Sequence, residues 1–338
     1  MKQIVFLGVG LLALGQVQEP VPMTRDKAIY GHVSHLGWVV KDVEAVTRAW
    51  RSFGVKAIRD EGVLELPTKY QGAATTLRVR RATGRLGNHS IHWIQPLGGP
   101  NALTAYLETH GEGVHHVAFA VPSPDRFDEE VKSLTAAGAR LVQDGALTTD
   151  AGPLRFAYFD TASRGGGITL ELEYNPSSRN TPEVKATPNE DPFNRITQFA
   201  FVVRDIKKVS AYWASLGFGS LAIDRNVSLD RRYRDRPGRF EMFLGWNRTG
   251  DVPFEWIQPL IGPSVYDEYL AVRPEGFHHL GFNVTDMDAA VARLESAGLR
   301  VTMSGGWDTN GHQGRFAYLD AERHGGVTIE LLWNKPQS

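Results

Sequence analysis

The constraint that leaves this chain least freedom is an internal repeat. Gly276-Phe277-His278-His279-Leu280-Gly281-Phe282 has a close copy in Gly113-Val114-His115-His116-Val117-Ala118-Phe119. Two degenerate copies are Val33-Ser34-His35-Leu36-Gly37-Trp38 and Ile196-Thr197-Gln198-Phe199-Ala200-Phe201. The register is tight: Gln198, Glu255 and His279 each stand 163 residues after His35, His92 and His116. Glu330 stands 159 residues after Glu171. The second copy is therefore shorter by about four residues in the loop before its last strand, where length changes are tolerated. Solenoids and propellers repeat at roughly 20–50 residues. The longer period here means a duplicated domain, and the four copies of the strand motif make each domain two βαβββ units.

The chain between these landmarks alternates strand and helix patterns. Val33 to Val40 reads as a strand, and Asp42 caps a helix through Val43, Val46, Trp50 and Phe53 that stops at Gly54. Residues 65–80 hold two weaker strand candidates around a Gly-Ala turn, and Ser90 to Pro96 is a strand ended by proline. Helices are expected over Asn101 to Thr109 and Asp125 to Ala137, and strands over Arg155 to Asp160 and Gly167 to Glu173. The series restarts at Ile196, with helices at Asp205 to Leu216 and Asp286 to Ala297. Residues 178–192 are rich in Pro, Ser, Asn and Thr and read as the linker between a first domain at 29–177 and a second at 193–338. Lys2, a short apolar run and the small residues Ala13 and Gly15 read as a signal peptide over residues 1–15, with 16–28 as a linker. An exported protein, periplasmic or secreted, with no membrane span after cleavage is the expectation.

Composition removes several function classes. The formal net charge of -1 gives no basic face for nucleic acid. With no cysteine, disulfides, thiolate metal sites and cysteine nucleophiles are excluded. What remains is a set of polar residues on otherwise apolar strands. The aligned copies carry His35, His92, His116 and Glu171 in the first domain, and Gln198, Glu255, His279 and Glu330 in the second. If paired units face each other across a pseudo-twofold axis, each set converges in one cup. Carboxylates are seldom buried without a partner, so Glu330 inside Thr-Ile-Glu-Leu-Leu-Trp calls for one. A divalent metal suits both sets: imidazole favours Zn, Fe, Ni or Co, and carboxylate oxygens admit Mn.

The pattern resembles the vicinal oxygen chelate superfamily, which holds glyoxalase I, methylmalonyl-CoA epimerase, type I extradiol dioxygenases and antibiotic-resistance proteins. The resemblance runs over nearly all of residues 30–335. It implies an α+β fold of two tandem domains, each made of two βαβββ units forming a cup-shaped mixed sheet around a metal. It also implies that His35, His92, His116 and Glu171 form one ligand set and Gln198, Glu255, His279 and Glu330 the other. The second set looks like that of zinc-type glyoxalase I, whereas His92 stands where a Glu or Gln is expected. Trp93 to Gly99 and Gly111 to His116 are similar to motifs of the epimerase branch.

The function this implies is a metal-dependent isomerase, epimerase or lyase. It would move a proton α to a carbonyl of a small substrate with vicinal oxygens, with Glu330, Glu255 and Glu171 as the candidate bases. The alternatives are an Fe(II) extradiol-type dioxygenase built on His35, His116 and Glu171, and a non-catalytic protein that sequesters a ligand in its cup. In the dioxygenase, His92 would fill a position that oxygen chemistry needs open. Monomer and homodimer are both compatible, because one chain already supplies four units. Arg155 and Arg315 are placed to hold a substrate anion or to form surface ion pairs. Tyr158 and Tyr318 read as core aromatics within reach of a substrate. The charged stretch 230–236 reads as a hairpin loop, and His312 as a loop residue near the second cup.

Overall fold

The computed structural model describes residues 20–149, 152–176, 192–248, 250–309 and 311–336. The expected signal peptide and nearly all of the expected 178–192 linker lie outside them. Two strand-rich domains follow each other, as the repeat requires. In the first, eight strands close into a barrel. Their order is His35–Val39, His89–Pro96, Ala73–Leu86, Arg59–Tyr70, Arg140–Thr149, Gly152–Asp160, Thr169–Tyr174 and Gly113–Ala120, which returns to His35–Val39. The first strand of each unit runs parallel to the last strand of its own unit and antiparallel to its counterpart in the other unit. All four strands that carry the expected site residues are therefore neighbours at the centre of the curled sheet.

The helices form where caps and spacing direct them. Val43–Phe53 starts at Asp42, whose side chain accepts the Ala45 amide, and ends at Gly54 in the left-handed region. It buries Val43, Val46, Trp50 and Phe53, the stripe that one helix face presents. Each such side chain contributes about 1.5–3 kcal/mol when fully buried. Asp205 and Asp286 cap their helices in the same way. The helix placed after Asp125 begins instead at Pro124, because Ser123 caps it and proline fits the first helical turn. The weak strand candidates of 65–80 belong to a long hairpin, Arg59–Tyr70 with Ala73–Leu86. Arg140–Thr149 is a further strand that hydrophobic alternation did not mark, since its pattern is broken by Asp144 and Gly145.

The second domain repeats the strand order in a ten-stranded sheet that does not close, because both strands of the long hairpin are interrupted, the second into Arg236–Pro237 and Glu241–Asn247. Where the first domain has the continuous strand Arg59–Tyr70, the second has Ala222–Asn226, paired with Glu241–Asn247, and Leu229–Tyr233, paired with Val301–Thr309. The stretch 230–236 is thus mostly strand, with its hairpin at Arg234 and Asp235, and Arg234 pairs with Glu268.

The two domains share one continuous apolar core. Trp50 Nε1 donates to the His324 carbonyl at 2.9 Å, and its repeat partner Trp213 donates to the Gly165 carbonyl at 3.0 Å. Each domain's first helix is thereby latched to the other domain by the same device. Residues 21–30 strap the pair: Arg25 Nε reaches the Leu216 carbonyl at 2.6 Å while its Nη1 meets Glu130 at 2.9 Å. No described helix is long and apolar enough to cross a membrane.

Candidate metal centre

The first domain brings three side chains to one point. His35 opens its strand, His116 lies on the antiparallel neighbour, and Glu171 lies on the strand parallel to that neighbour. Their ligand atoms all fall within 4.8 Å of one another, and all three residues are buried. His35 Nε2 and His116 Nε2 lie 3.1 and 3.0 Å from the same oxygen, Glu171 Oε2. Gly37 makes the convergence possible, because a Cβ there would lie 1.8 Å from His116 Nε2.

The outer nitrogens of both imidazoles are engaged from behind. His35 Nδ1 meets Glu173 Oε2 at 3.1 Å, and His116 Nδ1 meets His115 Nδ1 at 2.9 Å. Such contacts fix ring orientation and leave Nε2 facing inward, as the supporting shell of a metal site does. Glu173 and His115 were not singled out as functional from the sequence. The signal for Glu173 was its spacing, two residues after Glu171 and so on the same strand face. For His115 it was the histidine pair itself.

A divalent ion suits this donor set. His116 Nε2 and Glu171 Oε2 are buried and lack a hydrogen bond of acceptable angle, despite their proximity. A cation between them would satisfy both. Burial raises the Glu171 carboxyl, but His116 and His35 outweigh that and hold it well below the usual carboxylate range. Burial also lowers His35, yet Glu171 and Glu173 reverse the effect and push it up to about 9. The site is an anionic pocket that holds a positive charge.

His92 does not join the group. Its ring stacks on His35 with centroids 3.8 Å apart. Burial, then the charge on His35, keep it neutral. Of the four residues expected to act as ligands in this cup, three have their ligand atoms clustered, and His92 lies outside that cluster, stacked on the His35 ring. Around the three stands a cavity of about 1090 Å³ that also touches His92, Tyr158, Glu173 and an apolar wall including Leu77, Val79 and Leu103. That is ample for a small organic molecule.

The second domain gathers its residues differently. The Gln198 amide nitrogen sits in the middle, 2.6 Å from Glu330 Oε2, 3.0 Å from Glu255 Oε2 and 3.4 Å from His279 Nε2. Burial, then Glu330, raise the Glu255 carboxyl well above its usual value, which keeps it protonated. The four residues satisfy one another, and among the described residues no metal-ligand group of His and carboxylates assembles here. The expectation of a second metal centre on Gln198, Glu255, His279 and Glu330 finds its residues together but closed on an amide.

The remaining candidates separate cleanly. Arg155 pairs with Asp128 at 2.6 Å and Arg315 with Asp288 at 2.9 Å, so both form ion pairs to the preceding helix of their unit. Tyr158 lines the first cavity against His116, whereas Tyr318 accepts a hydrogen bond from Tyr266 at 2.8 Å in a filled interior. His312 opens the strand His312–Leu319 and is exposed.

A family sequence model, described as the Glyoxalase/Bleomycin resistance protein/Dioxygenase superfamily, matches residues 34–158 and 197–318. The chain belongs to this superfamily. No curated protein matches it. Among solved structures it is similar to a variant of 4-hydroxymandelate synthase from Streptomyces coelicolor, at 14% identity and a TM-score of 0.58, covering 91% of this chain and 94% of that one. It is also similar to a xylose isomerase-like TIM barrel/4-hydroxyphenylpyruvate dioxygenase fusion protein, at 16% identity and a TM-score of 0.52, covering 97% of this chain but 52% of that one. At these identities the likeness concerns the fold. Superfamily membership and the two matched halves agree with the duplicated βαβββ architecture.

Proposed function

We propose that the first domain binds one Fe(II) on His35, His116 and Glu171 and oxidises a small organic substrate with molecular oxygen. The observation that carries this is the ligand count. Two imidazoles and one carboxylate occupy one side of the site, and His92 stands aside, which leaves places for substrate and oxygen. That donor set with open positions is the one non-haem iron oxygenases use. The ion would supply the redox chemistry with oxygen; the chain's own groups bind, orient and shield. Glu173 and His115 hold the ligand rings, the apolar wall excludes water, and neutral His92 offers a lone pair beside the substrate. The similar folds of 4-hydroxymandelate synthase and of the 4-hydroxyphenylpyruvate dioxygenase fusion protein support the same reading.

The test is reconstitution of metal-stripped protein with Fe(II) under argon, followed by an oxygen electrode and panels of catechols and 2-oxo acids. Oxygen uptake that needs Fe(II) and Glu171 supports the reading. A second reading, the proton-transferring isomerase, epimerase or lyase, is favoured by His92, which aligns with Glu255 and stacks on His35 within reach of a bound substrate. Turnover with Zn(II) or Ni(II), without oxygen uptake and with solvent deuterium entering the product, would replace the first reading by the second.

A further inference from the structure

The cavity wall carries one charged device that the metal chemistry does not use. Arg81 lies on the inner face of Ala73–Leu86, opposite Ile94, while Thr83 lies opposite His92. Strand alternation puts Leu77 and Val79 on the same face, so Arg81 is the first charge above an apolar floor. It stands two residues, about 7 Å, along the strand from the level of His92. Glu61 fixes it: Arg81 Nε meets Glu61 Oε2 at 2.6 Å. The other oxygen of Glu61 is taken by Arg59 at 2.6 Å and by the Thr83 hydroxyl at 3.0 Å. The terminal nitrogens of Arg81 have no protein acceptor among the described residues, and the side chain keeps 33% of its surface open.

We propose that Arg81, oriented by Glu61, binds the carboxylate of a small apolar carboxylic acid whose other end reaches the His35–His116–Glu171 site. This deepens the function above and rests on the first cup being the working one. A guanidinium held through Nε presents its two terminal nitrogens as a planar fork, which matches a carboxylate in two-point contact. Arg59 and Arg81 against the single carboxylate of Glu61 leave this patch net positive. Leu77 and Val79 offer the body of the ligand an apolar surface, and the spacing to His92 suits one aromatic ring or a short alkyl chain. The second domain supplies the control. Leu244 stands where Arg81 does, Asp224 replaces Glu61, and Ala222 replaces Arg59. The fork exists only in the cup that has room for a ligand.

The test uses calorimetric titration of the whole protein, metal-loaded and metal-stripped, with benzoate, phenylacetate and 4-hydroxybenzoate, each paired with its amide. At least one acid should bind the wild type about tenfold or more tightly than its amide, the worth of a charge-assisted hydrogen bond. Arg81→Gln should erase that preference, and Arg81→Lys, which keeps the charge but loses the fork, should retain part of it. If Arg81→Gln fails to fold, Arg81→Lys decides alone through a reduced preference. The proposal is overturned if no acid is preferred over its amide, or if the preference survives in both variants. Metal content is measured on the same samples. A triad that binds no ion sinks the oxygenase reading, while acid selectivity in stripped protein is read independently of it.

Discussion

The two cups share a topology and a register, yet one is open and the other is full. In the first, Leu77, Val79 and Leu103 line a cavity; their partners 163 residues on are Phe240, Met242 and Tyr266, all buried in a packed cluster. Tyr158 faces the first cavity, whereas its counterpart Tyr318 is tied to Tyr266. The polar centres differ in the same sense. One carboxylate among imidazoles in the first cup is driven towards ionisation. Two carboxylates in the second share an amide, and one of them stays protonated. The two copies thus differ in kind: one holds a His-His-Glu triad positioned for a metal beside a cavity, the other is packed around the Gln198 amide. The difference lies in side-chain volume and in two of the four aligned polar positions, His35 against Gln198 and His92 against Glu255.

The largest effect should come from breaking the open cup. Glu171→Ala should remove the bound ion and abolish turnover, because it takes away the only anionic ligand of the triad. Glu330→Gln should leave metal content and turnover within about twofold, since general-base losses of about 100-fold or more apply only to groups that act. Elemental analysis and oxygen uptake check both. A dead Glu330→Gln with an active Glu171→Ala would reverse the assignment of the two cups.

Gln198→Ala should destabilise the second domain by about 1–3 kcal/mol, the cost of leaving buried polar groups without their partner. Chemical denaturation measures it. Gln198→His should instead let the second cup take up an ion without adding turnover, because the aromatic filling excludes substrate. No gain of metal in that variant would show that ring positions, not ligand identity, close the site.

Glu173→Gln and His115→Ala should weaken metal binding about 10- to 100-fold while leaving the fold intact, as expected of groups that orient ligands. Competition with a chelator reads this directly. Unchanged affinity would remove them from the site.

The smallest effect concerns the domain boundary. His89 is buried against Phe199, and its repeat counterpart is Val252. Burial lowers the His89 imidazole to about 4. The unfolded chain takes up a proton near its ordinary value of 6.5, the folded chain only near 4. Acid therefore favours unfolding, and stability should fall as pH drops from 6.5 towards 4, by about 2 kcal/mol at pH 5. His89→Val should flatten that part of the melting-temperature profile. An identical slope in the variant would exclude His89 as its source.

Much of this was determined by the sequence alone. The 163-residue register fixed two domains of like topology, because equal spacing of strand openers leaves no other way to pair them. Asp42, Asp205 and Asp286 announced their helices, because a cap is a local hydrogen bond. The eight polar residues singled out gather four to a domain, because a polar group repeated on a core strand has to find partners. What the sequence left open needed distances between strands remote in the chain. That His92 stacks beside the triad and does not join it follows from a ring contact across paired strands. That Gln198 seals its cup follows from where its amide reaches. Which cup stays open is a sum of volumes from several strands and a helix, and only the packed structure performs that sum.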